Sequence, residues 1–169
     1  GVAWTRTKER VKAALFAMAA DLVELHAARQ MHPGYSFASE EALHHEFESG
    51  FEYVETEDQL RAIQEVLADM ERPRPMERLV CGDVGYGKTE VAMRAAFKAV
   101  YDHKQVAVLV PTTVLAQQHY DTFQRRFVSY PVQIDILSRL RSRKAQQQAL
   151  DGLRQGTVDI VIGTHRLLQ

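Results

Sequence analysis

The chain has 169 residues, 46% apolar and 25% charged, which suits one folded domain with an added arm and excludes general disorder. A lone cysteine, Cys81, leaves no disulfide framework and no cysteine metal site, and is expected to be a small core residue. With no run of about 18 apolar residues and no signal-peptide core, the expected location is cytoplasmic, without a membrane partner. The net charge of −1 hides an asymmetry. Gln30 to Leu60 carries eight acids and no Lys or Arg, whereas Asp121 to Gln169 carries eight basic residues against four acids. Near-neutrality therefore says nothing against a polyanionic partner.

Trp4 to Ala28 predicts a long amphipathic helix, with Trp4, Val11, Leu15, Met18, Leu22 and Leu25 on a narrow apolar seam. Pro33 and Gly34 end it, dividing the chain into a linker helix (1–34) and a body (35–169). That helix reads equally as a coupling arm or as a flank helix packed on the body. A short helix is expected over Glu40–Glu48, where the neighbours His44 and His45 cannot share a helix face and read as surface. Thr56 to Met70 predicts a second helix capped by Thr56, and Pro73 and Pro75 stiffen the connector after it. Strands are then expected at Leu79–Cys81, Val106–Val110, Val132–Leu137 and Asp159–Ile162. They alternate with helices at Lys88–Tyr101, Val114–Phe127 and Ser142–Arg154. Such alternation implies an α/β fold with a four-stranded parallel sheet, and the run Val106–Val110 suits a strand buried on both faces.

Gly82-Asp83-Val84-Gly85-Tyr86-Gly87-Lys88-Thr89 fits the phosphate-loop pattern between an apolar stretch and a helix. Glycines let the loop curl around phosphate oxygens, and the helix beginning there, with Glu90 in its first turn, aims N–H groups at an anion. Lys88 is expected to reach the β- and γ-phosphates, and Thr89 to offer its hydroxyl to Mg²⁺. After later strands come Pro111-Thr112-Thr113, Ser138-Arg139 and Gly163-Thr164-His165. Hydroxyls and N–H groups at strand C-termini can hold a nucleic-acid phosphate, or simply cap helices. All three segments are expected on the sheet edge that also carries the phosphate loop.

Three stretches carry a resemblance: Leu79–Phe97, Gln105–Tyr120 and Ile162–Leu168. Through them, residues 51–169 resemble the first motor domain of superfamily 2 helicases and translocases. The bacterial transcription-repair-coupling factors are nearest as a family, with RecG-type branch-migration helicases next. The resemblance implies an incomplete RecA-like P-loop NTPase fold with an N-terminal helical extension. It assigns Gln59 to reading adenine and Phe51 and Tyr53 to stacking on it, although Glu52 and Glu57 stand where prolines are expected. It assigns Gly82 to Glu90 to ATP and Mg²⁺, with Lys88 and Thr89 closest to the chemistry. Pro111, Thr112, Thr113, Ser138, Arg139, Gly163, Thr164 and His165 are assigned to double-stranded DNA.

Hydrolysis also needs an acid on the metal and its water, and commonly an arginine finger. Asp83 belongs to the phosphate loop, Asp135 lies inside a strand and Asp159 precedes one, so none fits. The chain reads as a fragment that binds ATP without hydrolysing it efficiently alone. The expectation is the ATP-binding part of a DNA translocase that clears stalled RNA polymerase and works with nucleotide-excision-repair proteins through its parent chain. A RecG-like helicase is the alternative, ahead of a small-molecule kinase, which lacks its arginine lid here, and of a non-enzymatic interaction module.

Overall fold

A computed structural model describes residues 2–39 and 41–168, leaving Glu40, the expected start of the short helix, and Gln169 outside the described residues. The elements run α1 (Val2–Met31), α2 (Glu41–Ser49), α3 (Glu57–Met70), α4 (Lys88–Tyr101), β1 (Val106–Leu109) and α5 (Thr113–Arg126). β2 (Ile134–Leu137), α6 (Arg143–Gln155), β3 (Ile160–Gly163) and a 3₁₀ turn (His165–Leu168) follow. The helices match the expected ones closely because their ends carry local signals. Thr56 and Gln59 form a reciprocal capping box on α3, and Thr112 and Ser142 accept from Leu115 N–H and Ala145 N–H to cap α5 and α6.

The sheet differs from expectation. Among the described residues it has three strands in the order β1-β3-β2, all parallel. Leu79–Cys81 forms no strand: Leu79 is 86% exposed and Cys81 is exposed rather than core. A strand exists only through its ladder partners, and none among the described residues pairs with this segment. Only Val80 packs inward, against the cluster of Ile63, Val66, Met70 and Val91 between α3 and α4. Nor is β1 buried on both faces, since Leu109 is 54% exposed. One sheet face, with Ile136, Ile160 and Ile162, is covered by Phe97 of α4 and by Ala116, Phe123 and Phe127 of α5 and its cap. The other face is covered by α6 and by Leu167 of the 3₁₀ turn over Leu137 and Val161, while Ala107 and Leu109 of β1 stay exposed.

α1 buries none of its residues. Trp4, Leu15, Phe16, Leu22 and Val23 are each more than half exposed, so the seam is real in sequence but packs on nothing, and the flank-packed reading fails. Its helicity rests on length and on residues such as Ala13, Ala14, Ala17, Ala19 and Ala20. Its C-terminal end meets the body, where Arg29 Nη1 donates to Glu77 Oε2 at 2.9 Å and His26 Nδ1 lies 3.9 Å from the same oxygen. Close by, a Cβ on Gly34 would sit 2.2 Å from the Arg74 carbonyl carbon, so glycine lets the arm's end lie against the Arg74–Pro75 backbone.

Between α2, α4 and α5 lies a buried ionic cluster. Arg94, 2% exposed, donates from Nε to Glu90 Oε1 at 3.0 Å and from Nη2 to Glu55, and its Nη1 lies 3.3 Å from Glu48 Oε1. Arg126 closes on Glu90 from the far side with Nη2 to Oε1 at 3.0 Å and Nε to Oε2 at 3.3 Å. It also donates to Phe47 O at 2.6 Å while its guanidinium lies 3.8 Å over the Phe47 ring. Burial works against the charge on Arg94, but hydrogen bonds to Glu55 and Glu90 outweigh it and its pKa rises. The Arg94 hydrogen bond in turn holds the Glu55 carboxyl below its ordinary value, against a smaller opposing cost of burial. A carboxyl with a lowered folded pKa binds fewer protons folded than unfolded, so its stabilisation is complete above the unfolded value of about 4.3 and drains away as pH falls through the folded one. In urea melts, Glu55→Gln should therefore be less stable than wild type at neutral pH and should close that gap on acidification below about pH 4. A gap that stays constant with pH would show that Glu55 contributes packing and not charge.

Candidate nucleotide and nucleic-acid site

The phosphate loop projects from the body as an exposed turn that feeds directly into α4. Gly85 at φ +88° and Gly87 at φ +70° hold left-handed backbone that side chains rarely adopt. A Cβ on Gly87 would also lie 2.5 Å from Gln59 Nε2. Lys88 folds back over the loop, its Nζ donating to Gly82 O and Asp83 O at 2.6 Å each. The ammonium is thus held within the loop by carbonyls that a phosphate oxygen can replace. The Thr89 hydroxyl, half-buried in the first turn, makes no hydrogen bond among the described residues and remains available as an oxygen ligand. Val84 and Tyr86 point out to solvent.

Four expected nucleotide residues are placed differently. Gln59 spends both ends of its amide within the protein, accepting from Thr56 N–H at 2.8 Å and donating to Tyr86 O at 2.9 Å. It therefore ties the cap of α3 to the phosphate loop. Phe51 and Tyr53 stand together, ring centroids 5.5 Å apart, beside a cleft of about 470 Å³ that Arg125, Ser129 and Tyr130 line on the other side and Gln59 does not. The Glu90 carboxylate is buried between Arg94 and Arg126, and its N–H donates to Gly87 O at 2.9 Å. The sequence hid this because Arg94 lies one helical turn away but Arg126 lies 36 residues on.

The sheet register explains the second half of the site. Leu109, Gly163 and Leu137 form one row across β1, β3 and β2, so the three segments that follow them leave from one edge. The row is tight, as a Cβ on Gly163 would meet Leu137 O at 2.5 Å. On this edge Pro111 and Thr112 are exposed, Thr113 and Thr164 are half-buried, and Arg139 and His165 face solvent. Thr112 is engaged as a helix cap, its Oγ1 accepting from Leu115 N–H at 3.2 Å. Ser138 is not a surface group: it is 1% exposed and its Oγ accepts from Leu140 N–H, so its side chain shapes the turn that presents Arg139. Among the described residues no hydrogen bond joins residues 82–89 to this edge. The phosphate loop reaches it indirectly, through α4 and α5.

Arg141, Arg143 and Lys144 extend the basic surface beside Arg139, all exposed and in no ion pair among the described residues. Arg143 and Lys144 sit in the first turn of α6, where the helix dipole disfavours cations. That misfit with the helix was the legible signal, and the sequence reading gave these residues no role.

Comparison with known proteins agrees with this geometry. The DEAD/DEAH box helicase family matches residues 56–169. The chain is 59% identical over 168 residues to the transcription-repair-coupling factor of Bacillus subtilis, and 57% identical over 165 residues to that of Myxococcus xanthus. These alignments cover 99% and 98% of the chain but 14% of each relative, so the chain spans about one seventh of their length. The solved structure of RecG bound to a three-way DNA junction superimposes with a TM-score of 0.81 at 36% identity, covering 86% of this chain and 20% of that one. A phosphate loop with its glycines in left-handed backbone, a capping glutamine bonded to that loop and a helicase family match over two thirds of the sequence lead to one assignment: the chain belongs to the DEAD/DEAH box helicase family.

Proposed function

We propose that this chain is the ATP-binding portion of the first motor lobe of a DNA translocase of the transcription-repair-coupling type. The observation that carries the reading is the phosphate loop built against Gln59, with Lys88 and Thr89 at the start of α4. On ATP binding, the Lys88 ammonium leaves Gly82 O and Asp83 O for the β- and γ-phosphates, while the loop N–H groups and the α4 N-terminus neutralise the remaining charge. The Thr89 hydroxyl would hold Mg²⁺, which supplies charge neutralisation between the β- and γ-phosphates. Phe51 and Tyr53 offer aromatic faces to the base, and Gln59, re-aimed from Tyr86 O, offers an amide to its edge. Thr112, Thr113, Thr164 and Arg139 hold the backbone of double-stranded DNA.

Three carboxylates of the sheet and the phosphate-loop helix are engaged within the protein. The Asp135 and Asp159 oxygens accept from Ile136 and Gln133 N–H at 2.7 Å within the sheet, and Glu90 is taken by arginines. Binding and positioning thus reside here, while hydrolysis, the contact with stalled RNA polymerase and the excision-repair proteins belong to the remainder of a longer cytoplasmic protein. The likeness to RecG supports branch migration as the second reading. Displacement of a stalled polymerase, against remodelling of a three-way junction, by the full-length protein distinguishes the two.

In the full-length protein, Lys88→Ala should abolish ATP turnover with an unchanged circular-dichroism spectrum, since a cation facing the triphosphate stabilises it by several kcal/mol. Turnover near wild type would overturn the nucleotide reading. Gln59→Ala should weaken ATP binding far more than GTP binding if the amide reads adenine. An equal loss for both nucleotides would assign Gln59 to holding Tyr86 O and the loop alone.

On the DNA side, Arg139→Ala should weaken all duplexes alike and lower the slope of log K against log[salt] by about one, as expected for one lost phosphate contact. Thr112→Ala should lower DNA-stimulated ATPase beyond the roughly 1 kcal/mol of stability that a lost cap costs. Anisotropy titrations at several salt concentrations, run beside thermal melts, check both. Lowered melting with wild-type DNA affinity and stimulation would leave these residues as structural groups only.

A further inference from the structure

We infer that Arg126 is a positioning residue that links the strand-edge loop at Thr112 to the first turn of the nucleotide helix, with α5 as the rigid member between them. The inference rests on the nucleotide reading above. α5 begins at its cap, Thr112, and ends at Arg126, a span of about 21 Å at 1.5 Å per residue. At the first end Thr112 stands on the edge shared with Arg139 and Thr164. At the other, Arg126 grips Glu90, the residue directly after Thr89, through two nitrogen–oxygen contacts at 3.0 and 3.3 Å. Between the ends the helix is seated by Ala116 and Phe123, 0% and 1% exposed, and Gln124 Nε2 donates to Ile134 O at 3.2 Å.

These contacts leave α5 little freedom to bend, because its buried face is close-packed against the sheet and displacement at one end is carried by the whole element. The grip on Glu90 is directional as well as charged. A guanidinium fork matches both carboxylate oxygens, while the same Nη2 donates to Phe47 O at 2.6 Å. A reorientation of the α4 first turn as the phosphate loop closes on a triphosphate would therefore pull on Arg126 and shift the cap at Thr112. Engagement of the cap by a phosphate backbone would act on Thr89 by the same route in reverse, since coupling between two sites is reciprocal. Arg94 holds Glu90 from within α4 itself, so it fixes the carboxylate but carries nothing to the sheet edge.

The test is hydrogen–deuterium exchange of the full-length protein with and without ADP and Mg²⁺, read at residues 88–91 and 112–116, for wild type and Arg126→Lys. Lysine keeps the charge and loses the fork, so some thermal stability is lost, and exchange is compared at a temperature well below the melting transition of both proteins. In wild type, ADP should protect 88–91 and change exchange at 112–116 several-fold. In Arg126→Lys the first effect should remain and the second should be largely lost. Wild type with protection at 88–91 and no response at 112–116 would overturn the inference, as would a lysine variant that responds like wild type. If ADP protects nothing at 88–91 even in wild type, the nucleotide reading itself is refuted and the inference falls with it.

Discussion

The buried cluster of Glu90, Arg94 and Arg126 is the constraint on which the rest of the body is arranged. Glu90 lies in the first turn of the phosphate-loop helix, and its carboxylate receives hydrogen bonds from two guanidiniums, one from α4 and one from the end of α5. Arg94 then reaches Glu48 at the end of α2 and Glu55 in the segment leading to α3. Four separate stretches of chain therefore meet at one set of charges. Breaking such a buried pair by removing one partner costs about 3–5 kcal/mol, because the charge left behind has no water to replace its partner. The arrangement turns the otherwise exposed phosphate loop into the end of a helix that is fixed in position. Phe47 completes the site, packing on Phe97 at 4.1 Å between centroids while its carbonyl and ring hold Arg126.

The parallel sheet supplies the second constraint, which is alignment. Because Leu109, Gly163 and Leu137 share one row, three segments far apart in sequence deliver Thr112, Thr164 and Arg139 to one edge without contacting one another in the chain. Glycine at 163 lets the 3₁₀ turn and the β2 backbone approach closely enough for that edge to be continuous. Thr112 on this edge satisfies an orphan N–H of α5 and is also exposed.

Part of the apolar surface of the described residues is exposed. Leu109 and Ala107 of β1, Leu79 before the phosphate loop and the whole of α1 are exposed. The same geometry accounts for the missing fourth strand, because Leu79–Cys81 approaches the body only through Val80 and finds no ladder to join. The helicase family match, over residues 56–169, includes Leu79, Ala107 and Leu109 but not α1.

The sequence by itself determined the local structure. Thr56, Thr112 and Ser142 mark three helix starts, and the glycine pattern of residues 82–89 marks a turn that opens a helix. These features depend on hydrogen bonds and backbone angles within a few residues, so the sequence encodes them directly. Only the tertiary structure decided that Ser138 is buried, that Cys81 is exposed, that the Glu90 carboxylate pairs with Arg126, and that Gln59 bonds to Tyr86 O. Each depends on which distant segment packs against the residue, and apolar or charged character alone does not specify that partner. The strand expected at Leu79–Cys81 failed for the same reason: its residues favour extended backbone, but a ladder needs a neighbour that only the fold can place.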